Sequence, residues 1–176
     1  MDETFKAKNH PALQKDDDGL LTELLQMLAA CAVGNPYSDD GDFAESLESL
    51  PSGLRAMAAT HWLDISMTLD SITWHFGNFG EPNLVAQTEA GLHELGLHDL
   101  ASCFCDAKEL MLPLLANRTE SDGDPYEILE REGVRAAADT LDRRAWDLDD
   151  LGPGKSLIYD AWVKYARQYP EKVFGG

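Results

Sequence analysis

A chain of 176 residues with 44% apolar and 26% charged side chains can fill one core of ordinary size. That excludes a disordered polyelectrolyte and leaves little room for a second domain. Fourteen Lys and Arg stand against 32 Asp and Glu, and the formal net charge of −18 repels phosphate backbones and anionic headgroups, so neither direct nucleic-acid binding nor membrane-surface binding is expected. Cys31, Cys103 and Cys105 are odd in number and have no framework spacing, the start Met1-Asp2-Glu3 is acidic, and no apolar run reaches the ~18 residues of a membrane span. A cytoplasmic setting is expected.

In chain order the apolar period is helical throughout. Residues 1–19 read as a polar segment. Leu20, Leu21, Leu24, Leu25 and Leu28 then mark a helix that stops at Gly34-Asn35-Pro36. Asp42 with Glu45 has capping-box spacing and opens a short helix facing inward through Phe43, Leu47 and Leu50. The longest stripe runs Leu54, Ala58, Trp62, Ile65, Leu69, Ile72, Phe76 and predicts one helix of about six turns with those residues inside, closed by Gly77-Asn78-Phe79-Gly80. Pro82 opens the next helix and Gly96 ends it. Asp99 is placed to cap another, carrying Leu100, Cys103, Ala107, Leu110 and Leu114, with Pro113 near its end.

Beyond a polar loop, Asp124-Pro125-Tyr126-Glu127 places a cap, an N1 proline and an N3 acid together, predicting a helix through Glu132. Val134, Ala137, Leu141, Ala145 and Leu148 give one more stripe, and Ser156 to Tyr169 gives the last, with residues 171–176 as a tail. The expected fold is all-α, a single-domain bundle of about eight helices over residues 20–170. Trp62 and Trp162 are expected in the core. Trp74 lies off the long stripe, where a packed loop or a subunit contact in a homodimer would each account for it.

The charge is clustered. Residues 16–48 carry nine acids and no base, and residues 120–150 carry eleven acids and four arginines, whereas residues 151–176 are net positive. Asp42, Glu45 and Glu48 share one helix face, as do Asp124, Glu127 and Glu130. Residues three apart on a helix have Cβ atoms roughly 5 to 6 Å from one another, comparable in scale with the ~3.4 Å axial rise between phosphates on one DNA strand once its winding is included. With Asp39, Asp40 and Asp122 beside them, these residues form the candidate contact surface for a basic DNA-binding protein or a basic toxin. An ordinary solvated face, with acids favoured in first turns by the helix dipole, is the bland alternative.

Catalytic and metal motifs fare worse. His93 and His98 are five apart where a zincin helix needs four, and such a pair diverges by about 140° around a helix. A site built from His93, His98, Cys103 and Cys105 would make the protein an enzyme or a metal binder, but Cys-x-Cys on a helix points its thiols apart, and core packing is the better reading. His61, Asp64 and His75 are close in sequence but read as a structural pairing. No acidic loop aligns with an EF-hand, and no hydrolase elbow, Walker loop or dinucleotide motif is present. The expectation is a noncatalytic protein without cofactor or metal.

Over about a third of the chain, the order Leu50-Pro51, Arg55, Leu63-Asp64, Phe76-Gly77-Asn78-Phe79-Gly80, Leu92-His93-Glu94-Leu95-Gly96 and Ala101 to Ala107 resembles acidic, all-helical bacterial DNA-mimic proteins. Where that family usually has Gly-Gly-Phe in its long helix, this chain reads Asp70-Ser71-Ile72. The resemblance implies an all-helical fold and transcription regulation, exerted by occupying the DNA-binding surface of a regulator or nucleoid protein. Neutralising a basic toxin, as immunity proteins do, is the alternative within the same class. No partner-contact residue carries over by motif.

Overall fold

The computed structural model describes residues 3–116 and 123–175. Among them the chain forms eleven α-helices: α1 Glu3–Lys8, α2 Asp17–Cys31, α3 Asp42–Leu47, α4 Ser52–Leu69, α5 Ile72–Asn78, α6 Pro82–Glu94, α7 His98–Leu115, α8 Pro125–Arg131, α9 Arg135–Asp149, α10 Leu157–Gln168 and α11 Glu171–Phe174. A 3-10 turn, Pro11–Gln14, joins α1 to α2, and the described residues include no strand. The all-α single domain is as the periodicity implies. The polar segment and the tail both hold helices. Ala7, Ala12 and Val173 are buried, and α1 packs on α11.

The central element is α4, which contacts α2, α3, α5, α6, α10 and α11. Surrounded in this way, it buries residues around most of its circumference, among them Leu54, Ala56, Met57, Ala59, Thr60, Leu63 and Met67. Two glycines let its neighbours close in. A Cβ on Gly91 of α6 would stand 3.0 Å from the Ala56 carbonyl oxygen, and one on Gly53 would stand 2.6 Å from the Tyr165 ring of α10. Trp162 of α10 is fully buried, and its indole N–H donates to Thr60 Oγ1 at 3.0 Å.

The stripe from Leu54 to Phe76 is not one helix. It breaks at Asp70-Ser71, where Asp70 leaves helical geometry and the Ser71 hydroxyl caps α5 by accepting from Trp74 N at 3.1 Å. Groups distant in sequence hold the break. Tyr126 O–H donates to the Asp70 carboxylate, and buried Asp142 of α9 accepts from Thr73 N at 3.0 Å and from Thr73 Oγ1 at 2.8 Å. The break also resets the buried face: Leu63, Met67 and Ile72 are inside, Ile65 and Trp62 are half-buried, and Leu69, expected in the core, is 80% exposed.

Local start signals divide in the same way. Asp124 accepts from Glu127 N at 2.9 Å with Pro125 at N1, and Ser156 caps α10, both as the sequence implies. Asp42 does not cap α3. It is the first helical residue after Gly41, which takes a positive φ of 80°, and its own N–H donates to Asp40 Oδ1 at 3.0 Å. Nor does Asp99 cap α7, which begins one residue earlier at His98 with no side-chain cap.

Candidate functional site

The two acidic helices are built alike. In α3 the inner residues Phe43, Ala44 and Leu47 are buried, and in α8 Pro125, Ile128 and Leu129 are. This turns Asp42, Glu45 and Glu48 on the first, and Asp124, Glu127 and Glu130 on the second, into solvent. Both are anchored across the core. Gln87 Nε2 of α6 donates to the Ala44 carbonyl at 2.8 Å, while Tyr126 reaches Asp70 and lies under the Arg135 guanidinium, 3.9 Å from its ring centre. Asp39 and Asp40 are exposed in the loop before α3, and Asp122 lies outside the described residues.

Not all of these carboxylates are idle. Asp40 takes a hydrogen bond from Ser38 Oγ at 2.7 Å besides that from Asp42 N, and together these hold its carboxyl below the usual range. Asp124 uses one oxygen as the α8 cap. Among ion pairs between described residues, none uses Asp39, Asp40, Asp42, Glu45, Glu48, Asp124, Glu127 or Glu130.

Three further acids among the described residues, Asp64, Glu81 and Asp142, are internal, which charge counting along the chain does not reveal. Asp142 and Asp64 are buried, and burial raises both carboxyls. Thr73 bonds oppose the shift at Asp142, and the Ser156 hydroxyl opposes it at Asp64. Glu81, also buried, caps α6 by accepting from Asn83 N at 3.0 Å and Leu84 N at 2.7 Å. Asp149 accepts from Leu157 N at 2.6 Å. A signal for Asp142 exists in the sequence, because it shares a helical stripe with the small residues Ala138 and Ala145, which are buried beside it.

The residues of the catalytic and metal alternative do not gather into one site. Cys103 is buried against α9, its thiol 3.4 Å from the Leu141 carbonyl and pushed up to about 11 by burial, while Cys105 donates to Glu89 at 3.1 Å. His93 and His98 correct the expected divergence. Gly96, at a positive φ of 77°, reverses the chain between them, so their Nδ1 atoms stand 3.3 Å apart on the surface. Among the described residues no group of three or more His, Cys, Asp or Glu is placed to hold a metal. His61 Nδ1 lies 2.9 Å from Tyr159 O–H, and Asp64 accepts from Ser156. His75 sits apart from them. It is fully buried with Nδ1 3.0 Å from Ser66 Oγ, and burial lowers its pKa to about 3.

Residues 48–169 match the model of the DMP19-like protein family. The chain belongs to that family. It is a DNA-mimic family, and the matched span runs from Glu48 through α10, containing the described acids of α8 and leaving residues 39–47 outside. Comparisons with curated proteins and with solved structures gave no match. No helix among the described residues is long and apolar enough to cross a membrane.

Proposed function

We propose that this protein is a noncatalytic DNA mimic that occupies the DNA-binding surface of a basic regulator or nucleoid protein. The observation that carries the reading is the pair of outward acidic faces on α3 and α8 in a member of a DNA-mimic family. Each face offers carboxylates at helical spacing on a backbone fixed by its buried side. The backbone that carries these charges is therefore ordered before a partner arrives, and Lys and Arg arranged for phosphates meet them at the cost of ordering side chains alone. Clustered negative charge also steers a basic partner at low ionic strength.

Affinity capture from lysate at low salt, identification of the captured protein, and competition with duplex DNA test this directly. The expected partner has a basic nucleic-acid-binding surface, is displaced by DNA, and weakens steadily between about 50 and 500 mM salt. A salt-indifferent partner, or a complex untouched by saturating DNA, overturns the reading. A basic partner that DNA does not displace points to toxin neutralisation instead.

A further inference from the structure

A cleft of about 590 Å³ is lined by Tyr37, Asp39, Phe76, Gly77, Leu112 and Ala116 among others. It lies beside segments that lead to both acidic faces. Asp39 belongs to the loop that leads into α3. On the other side, a Cβ on Gly77 would stand 2.6 Å from Pro125 Cγ, so the first turn of α8, with Asp124 and Glu127, abuts the cleft wall.

Among the described residues the charges and helix ends at the cleft have one sign. The long helix α7 ends in it, with Leu112, Leu115 and Ala116 on its lining, and so does the short α5 through Gly77 and Asn78, so both present their negative ends. The opposing positive end, the N-terminus of α6 at Pro82, is already answered by the Glu81 carboxylate on Asn83 N and Leu84 N. Asp39 adds a full charge, and the described lining residues include no base. At the mouth Tyr37 is 58% exposed, yet its ring is backed by Phe79 at 4.8 Å and Trp62 at 5.8 Å between ring centres. Its backbone is fixed by Asn35, whose Oδ1 accepts from Tyr37 N at 3.1 Å. An aromatic face held open beside an apolar floor and a negative rim matches one kind of side chain.

We propose that this cleft seats an arginine of the basic partner, its guanidinium stacked on Tyr37 and facing Asp39 and the α7 terminus, its aliphatic stem on Leu112 and Leu115. Arginine suits the site better than lysine because its planar, weakly hydrated head stacks on an aromatic ring while its stem covers apolar surface. The assignment rests on the proposed function, since it names the side chain by which that partner is held.

The probe is a short fluorescein-labelled arginine–alanine peptide and its lysine counterpart of equal charge, followed by anisotropy with the full chain at about 100 mM salt. Expected is a preference of about three- to fivefold for the arginine peptide, the size of one partly desolvated cation–π contact. Tyr37→Ser should erase that preference without changing affinity for the lysine peptide. Ala116→Trp, which fills the cleft from an exposed position, should weaken arginine-peptide binding, and both variants should keep the parent's circular dichroism and melting temperature. Equal affinity of the parent for the two peptides, or a preference that survives both substitutions, overturns the proposal. A DNA-displaced partner without arginine preference removes the arginine seat and leaves the mimic reading intact. Arginine preference with no DNA-displaced partner does the reverse.

Discussion

Residues 39–48 and residues 139–150 each carry five carboxylates, and the structure uses them in opposite ways. In the first stretch all five are exposed and none joins an ion pair among the described residues. In the second, Asp142 is buried on Thr73, Asp149 holds the start of α10, and Asp139 pairs with Arg135 at 2.8 Å, so only Asp147 and Asp150 are left exposed without such a task. Net charge along a chain therefore does not locate a charged surface. What separates the stretches is the direction each helix face is turned by the apolar residues between the acids.

The largest effect should come from the core on which both stretches rest. Leu63→Ala removes a fully buried side chain of α4 and should lower unfolding stability by about 2 to 5 kcal/mol, read from urea melts. Close behind is Asp142→Ala, which strands the Thr73 N–H in a buried site and should destabilise by about 3 kcal/mol. A variant of Asp142 that melts with the parent would place this acid with those of the first stretch.

Buried titrating groups should also shape the pH profile. His75 ionises near 3 in the folded chain against 6.5 when unfolded, so its contribution is full above pH 6.5 and is lost as pH falls toward 3. Asp142 acts in the other direction. Its folded pKa is raised above 3.8, so its contribution is full below that value and is lost as pH rises through the folded pKa. His75→Asn should therefore flatten the loss of stability between about pH 7 and pH 5, and Asp142→Asn should lessen the loss as pH rises from 3.8 through the folded pKa of Asp142, each judged by its slope rather than its absolute stability. Unchanged slopes would deny both groups this role.

Neutralising the exposed face as Asp42→Asn, Glu45→Gln and Glu48→Gln should weaken the basic partner at least tenfold, about 1.4 kcal/mol, while stability moves by less than about 0.5 kcal/mol. Loss of binding from the α8 set alone would confine the contact to the family-matched span. The smallest effect is expected at Leu69, whose 80% exposure should hold Leu69→Ala within about 0.5 kcal/mol of the parent.

Much of the fold was legible from the sequence. Helix stops at Gly34-Asn35-Pro36, the Asp124-Pro125 start and the Ser156 start follow from local backbone chemistry that needs no distant partner. The outward placing of the Asp42 and Asp124 sets was legible too, because period alone sets carboxylates against Phe43 and Leu47, or Ile128 and Leu129. The cleft was not, since Tyr37, Gly77 and Ala116 come from segments whose juxtaposition no local pattern encodes.

The amino-acid order by itself determined the all-helical class, the Asp124 and Ser156 caps, and the facing of the acidic residues, since each depends on neighbours within four positions. Tertiary structure decided the break at Asp70-Ser71, the burial of Asp142 on Thr73 and the exposure of Leu69, whereas the meeting of His93 with His98 follows from the local turn at Gly96. In the first three, a helix that could have continued, or turned a different face inward, was fixed by contacts as far as 69 residues away in the chain. Those contacts gain free energy only once the whole core has closed.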